Sequence, residues 1–166
     1  MRRFRFSLPV LAALATAASP AAAATITATT SANVNKALLL SNVQNLDFGT
    51  LTLTGATGTR TIVLSQAGVL TCATGIVCSG TVKTARFNVQ GSNNNTALLT
   101  YAGSTLSNGV TGSETIPFTP SGPASLAITN SGAPGTNFDV GGTLTVSSTL
   151  AGGTYTGTIT VTADYQ

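Results

Sequence analysis

The chain has 166 residues, a length that fits one domain. Seven Lys or Arg stand against four Asp or Glu, and His and Trp are absent. Without imidazole there is no Ser-His-Asp triad and no histidine general base, and two cysteines without His leave too few ligands for a zinc centre.

Residues 1–24 read as a signal peptide. Arg2, Arg3 and Arg5 form a basic start, LPVLAALATAA follows as an apolar stretch, and SPAAAA supplies the small residues that a signal peptidase needs. Cleavage is expected after Ala24, with Ala23 the nearest alternative. The apolar stretch is shorter than the roughly 20 residues that span a bilayer, which weighs against a retained membrane anchor. The residues after the Arg pair fit a twin-arginine signal poorly, so the general secretory route is expected. Loss of the leader removes three of the seven basic residues. Lys36, Arg60, Lys83 and Arg86 then balance Asp47, Glu114, Asp139 and Asp164, and the pI near 9.2 is a property of the precursor alone. The exported chain has no basic patch to attract nucleic acid, and a near-neutral surface makes self-association easier.

The first exported stretch, TITATTSANVNKALLL, has period two, with Ile26, Ala28, Ala32 and Val34 on one side and Thr, Ser and Asn on the other. In SNVQNLDFGTLTLTG a strand is expected to break near Gly49, where a bulge is plausible. Short strands then follow at TRTIVLS and AGVLTC, at SGTVKTARFNVQG with Ala85, Phe87 and Val89 on one face, and at TALLTYAG. SNGVTGSETIPFTPSGPAS reads as a loop, because Pro117, Pro120 and Pro123 forbid a central strand. SLAITN, FDVGGTLTVSSTL and the terminal run complete the strand candidates. No segment after the leader has a helical period, and many short strands between Gly, Pro and Asn turns predict an antiparallel sandwich or barrel; a sandwich of about seven strands is favoured.

Cys72 and Cys78 lie in LTCATGIVCSG, and an exported chain meets an oxidising compartment, so a disulfide is the leading reading over two free thiols. The four carboxylates are scattered. Paired-carboxylate hydrolysis, for instance by Asp47 with Asp139, has nothing in the sequence to bring the pair together. Asp139 and Asp164 lack the spaced oxygen ligands of a calcium loop. Asn94-Asn95-Thr96 matches a glycosylation acceptor and reports an exposed turn. The inventory predicts a protein that is not an enzyme and needs no cofactor and no metal.

The terminal run GGTYTGTITVTADYQ alternates without a fault. Gly153, Tyr155, Gly157, Ile159, Val161, Ala163 and Tyr165 make one row, and Thr154, Thr156, Thr158, Thr160, Thr162 and Asp164 the other. Burial of one face explains Ile159 and Val161 but not the glycines or the closing tyrosine. Gly153 is fourteenth from the C-terminus and Tyr165 penultimate, and in this the run resembles the assembly signature of chaperone–usher pilins. LDFGTL at 46–51, VGGTLTV at 140–146 and AGGTYTGTITVTADYQ at 151–166 are similar to a family of secreted bacterial β-proteins of uncharacterised function, related in style to the spore coat protein U domain.

The resemblance implies an immunoglobulin-like antiparallel β-sandwich over residues 36–166 that lacks one strand and is completed by another chain. Residues 25–35 would be the donor segment, inserting Ile26, Ala28, Ala32 and Val34, and residues 153–165 would border the acceptor groove. It further implies a periplasmic chaperone and an outer-membrane usher as partners, a homo-oligomer or fibre as product, and passage through the periplasm to the surface of a Gram-negative bacterium. Three departures stand beside it. No Gly occurs between Thr25 and Leu40, the donor face is weakly apolar, and the two cysteines close a local loop. Two other outcomes remain open: a self-complete sandwich with residues 26–34 folded back on it, and an adhesin-like module binding carbohydrate or another surface through its loops, with Tyr101 and Phe118 as the aromatic candidates.

Overall fold

A computed structural model describes residues 23–110, 112 and 114–166, so most of the expected signal peptide lies outside the described residues. The chain divides into two units, residues 1–33 and Val34–Gln166. In the first unit, residues 23–33 have no regular secondary structure, and the side chains of Ile26, Ala28 and Ala32 are exposed. The period-two segment pairs with no strand of its own chain among the described residues. A strand exists through its hydrogen-bond ladder, and these residues are in none.

The second unit is all-β, with no helix among the described residues. Its strands are β1 Leu39–Gln44, β2 Thr50–Leu53, β3 Thr59–Leu64, β4 Leu70–Thr71, β5 Ile76–Ser79, β6 Ala85–Gln90, β7 Thr96–Gly103, β8 Phe118–Ser121, β9 Ser125–Ala127, β10 Thr136–Ser147 and β11 Ile159–Tyr165. These eleven exceed the expected seven because several are only two to four residues long. All strand pairs are antiparallel. The largest sheet runs β1-β6-β10-β3-β4, with β8 also on β10; a second runs β11-β7-β9; β2 and β5 form a third.

Strand β10 organises the unit. Its first half pairs with β6 (Thr136↔Val89 to Val140↔Ala85) and its second half with β3 (Gly142↔Leu64 to Ser147↔Thr59). Side chains of one strand face alternate directions, so Phe138, Val140, Leu144 and Val146 all point inward. Phe138 and Val140 join Ala85, Phe87, Val89, Ala97, Leu99 and Ile128 in one apolar cluster. Leu144 and Val146 join Phe48, Ile62, Leu64, Ile76, Ile116 and Phe118 in the other. Phe87 stacks on Phe138 with ring centres 5.7 Å apart, and Phe48 meets Phe118 edge-on at 6.0 Å.

The proline-rich stretch read as loop contains β8, which includes Pro120 opposite Gly142. The strand pairs with β10 alone, so Pro120 sits in an edge strand, where its missing N–H removes no inner ladder bond. On the outer face, Arg86 and Asp139 are cross-strand partners. The guanidinium donates from Nε to Oδ1 at 2.8 Å and from Nη2 to Oδ2 at 3.0 Å. This bidentate contact holds the Asp139 carboxyl below its ordinary value.

Cys72 and Cys78 form a disulfide around the short excursion that carries β5, and both pack against the second cluster. In the chain-entropy account a loop this small gives about 2 kcal/mol. The double variant Cys72→Ser/Cys78→Ser is therefore expected to lose about 2 kcal/mol of unfolding free energy in urea, with an unchanged slope.

The carboxylate of Asp139 gives a second expectation. A group whose folded pKa is depressed stabilises the fold above its unfolded value, here 3.8, and the contribution is lost as pH falls through the folded value. Acid unfolding of Asp139→Asn should thus show a shallower loss of stability below pH 3.8 than the parent, measured by urea titrations at several acid pH values.

Candidate functional site: an open groove beside the terminal strand

Strand β11 pairs with β7 from Ile159↔Gly103 to Tyr165↔Ala97. The zipper continues on both sides of it. Thr156 and Ser107 exchange main-chain bonds, Thr158 N–H donates to Ser104 Oγ at 2.7 Å, and Gln166 N–H donates to Thr96 C=O at 3.0 Å. All of these contacts lie along one edge. The other edge of β11 has no β-partner among the described residues.

The alternation read from the sequence is present in β11, since Ile159, Val161, Ala163 and Tyr165 face the cluster around Phe87 and Thr160, Thr162 and Asp164 face solvent. The inward row is only half-buried, however, whereas Ala97 and Leu99 on β7 are buried in the same cluster. Opposite stands β1, the edge of the large sheet, whose Leu40 and the preceding Leu38 are also half-buried against that cluster. No β-pairing joins β1 to β11 among the described residues.

Residues next to the two edges line an open cavity at the Ile159 end. A cavity of about 440 Å³ is lined there by Asn42, Asn45, Leu46 and Phe48 on one lip and by Tyr155, Thr156, Gly157, Thr158 and Ile159 on the other, over Ala85, Phe87, Leu106 and Phe118. A second cavity of about 670 Å³ adjoins it and shares Phe48, Leu106 and Tyr155; Asp47–Leu53 and Leu150–Tyr155 form its walls. Together these make a groove with an apolar floor and a Thr- and Asn-rich rim.

The strand proper begins at Ile159, so Gly153, Tyr155 and Gly157 precede it in a run of irregular backbone. Gly152, Gly153 and Gly157 supply no side chain to hold a pleat. Gly157 has a local reason: a Cβ there would lie 2.9 Å from Ser104 Oγ and 3.1 Å from Leu106 Cγ, so any larger residue would push these side chains aside where the run lies against residues 104–106. Tyr155 packs on the cluster around Phe48, and its hydroxyl donates to the carbonyl of Ala151 at 2.8 Å.

Tyr165 closes the other end of the groove. Its hydroxyl donates to the carbonyl of Lys36 at 2.7 Å and accepts from the N–H of Ser92 at 2.6 Å. Lys36 N–H in turn donates to Ser92 Oγ at 2.6 Å, and Asn95 Nδ2 donates to Asn35 Oδ1 at 3.0 Å. Gly91 makes room for this knot, since a Cβ there would meet Tyr165 Oη at 2.5 Å, Leu38 Cδ2 at 2.8 Å and Ile128 Cδ1 at 2.9 Å. The sequence singled out Tyr165 by position; its partners Gly91, Ser92 and Lys36 carried no signal, because they come from a turn and a segment far away in the chain.

Of the expected donor residues, Val34 lies just before this knot with an exposed side chain. The aromatic candidates for carbohydrate stacking turn inward. Phe118 is buried, and Tyr101 packs on the cluster beside β11 with its hydroxyl donating to the carbonyl of Pro123 at 2.7 Å. Asp47 and Asp139 do not converge: Asp47 accepts from Gly49 N–H and Asp139 is held by Arg86. No group of three or more Cys, Asp or Glu comes together among the described residues.

Residues 38–165 match the model of a domain of unknown function, DUF4402, and the chain belongs to that family. No curated protein and no solved structure matches it. The match begins at Leu38 and ends at Tyr165, so the open groove and the closing tyrosine fall within the family domain.

Burial pushes the Tyr101 hydroxyl up to about 12 from an ordinary 10. A raised folded pKa makes its contribution complete below the unfolded value and lost as pH rises through the folded one. The parent should therefore lose stability between pH 10 and about 12. The variant Tyr101→Phe should lack that part of the alkaline slope, measured by urea unfolding across the same range.

Proposed function

We propose that the exported chain is a non-enzymatic structural subunit of a bacterial surface fibre or coat, assembled by β-strand complementation between copies. The observation that carries this reading is the unpaired edge of β11 above a half-buried apolar row, facing β1 across an open groove. Such an edge is a template for another strand, and proteins that do not use it usually blunt or cover it.

The occupant is the leading segment, residues 25–35, of a second copy. Its period-two row of Ile26, Ala28, Ala32 and Val34 suits a groove whose own rows alternate. The inserted groups are small, so main-chain pairing carries much of the affinity. A seven-residue strand directs every second residue outward, and each net hydrogen bond is worth about 1 kcal/mol. On this reading residues 36–166 form an immunoglobulin-like sandwich lacking one strand, residues 1–24 are the export signal, and a periplasmic chaperone covers the groove until an outer-membrane usher orders the exchange. The resemblance of the terminal run to chaperone–usher pilins supports those partners and a cell-surface destination. The inward turn of Tyr101 and Phe118 weakens the alternative of an adhesin that stacks sugars on those rings.

Purified protein beginning at Thr25 is expected to polymerise on concentration, whereas protein beginning at Lys36 stays monomeric and takes up a synthetic peptide of residues 25–35. Size-exclusion chromatography with light scattering checks both. Two equally stable monomers and no peptide binding would remove the reading.

A further inference from the structure

Strand complementation needs more than a groove and a fitting segment, because a chain that carries both could fill its own groove and never assemble. Resting on the proposed assembly, the geometry points to a device against this: we infer that the Tyr165 side chain is a bar across one end of the groove, and that it keeps the chain's own leading segment out so that insertion takes place between copies.

Three observations carry the inference. First, Tyr165 connects the two lips. It stands on β11, and its hydroxyl donates to the carbonyl of Lys36, three residues before β1 begins at Leu39. The same oxygen accepts from Ser92 N–H, so the bar is tied to the β6–β7 turn as well.

Second, the point where the leading segment joins the domain is pinned. Both main-chain groups of Lys36 are engaged, the N–H by Ser92 Oγ and the C=O by Tyr165, and the Asn35 side chain is held by Asn95. A segment filling its own groove must reverse direction within residues 35–38, and that reversal breaks these bonds.

Third, direction matters. Leu39 pairs with Gln90, next to Gly91 and Tyr165, while residues 42–48 line the cavity at the Ile159 end, so β1 runs opposite to β11. A hairpin preceding β1 therefore lies parallel to β11, the slightly weaker arrangement. A segment from another copy is free of that constraint, and it can enter from the Ile159 end, where the cavity of about 440 Å³ lies.

Tyr165 is thus a positioning residue. Its hydroxyl, more than its ring, makes the choice between self-filling and exchange. The same site gives a structural reason for the lack of a side chain at Gly91, which leaves the hydroxyl space to reach both partners.

The test uses the full chain, exported and purified, as wild type, Tyr165→Phe and Ser92→Ala. Phenylalanine keeps the ring packing and removes both hydroxyl bonds; Ser92→Ala releases Lys36 N–H without touching β11. Each sample is followed by size-exclusion chromatography at several concentrations, by amide exchange of Ile159, Val161, Ala163 and Tyr165, whose N–H groups point away from β7, and by circular dichroism with a thermal melt to show that it is folded. The expected result is that the wild type forms polymers, and that both variants shift about tenfold toward a monomer whose β11 amides are protected at high dilution, the signature of a self-filled groove. Variants that fold and polymerise like the wild type would overturn the bar while leaving strand complementation in place. A wild type that is itself a monomer with protected β11 amides would overturn both, and so would one that neither polymerises nor protects β11. If Tyr165→Phe does not fold, Ser92→Ala alone decides, with the same two outcomes.

Discussion

Four apolar side chains on one face of β10 hold the domain together. Phe138 and Val140 enter one cluster, Leu144 and Val146 the other, and the strand exchanges β6 for β3 as its ladder partner between them at Gly141–Gly142. Because side chains in a strand alternate with period two, a single unbroken register along twelve residues aligns both clusters at once. The remaining sheets pack on the surfaces this strand establishes. The β11-β7-β9 sheet covers the cluster around Phe87, and the β2-β5 pair with residues 150–155 covers the cluster around Phe48.

Coverage is uneven, and the unevenness is where the chemistry of the molecule lies. A chain that buries Ala97 and Leu99 leaves Ile159, Val161 and Ala163 half-buried one strand further out. The deficit lies on the edge of β11 that has no β-partner among the described residues, and β1 is the free edge of the large sheet. Residues 25–166 carry four basic and four acidic side chains, so little net repulsion keeps another copy away from such an edge. In the proposed assembly composition does not select the partner; the choice comes from register and from the bar that Tyr165 places at one end of the groove.

That division of labour explains the terminal run. The threonine row keeps its outer face wet, Ile159 and Val161 anchor the inner face, and Gly157 lets the backbone lie close to residues 104–106. Tyr165 does something different from its neighbours in the row. It combines an aromatic body in the cluster with a polar tip that satisfies two main-chain groups at the lip, the amphipathic use for which tyrosine suits a half-buried position.

The sequence alone determined the class of fold, the inward row of β6, the two rows of β11, and the pairing of Cys72 with Cys78, because alternation and a six-residue separation are local properties. It misread the extent of the terminal strand and the strand around Pro120, because a strand's existence depends on a partner that local pattern does not name. Only the tertiary structure decided which edge stays open and what Tyr165 touches. Those depend on bringing Lys36, Gly91, Ser92 and Tyr165 together across up to 129 positions, and period-two alternation is blind to long-range contact.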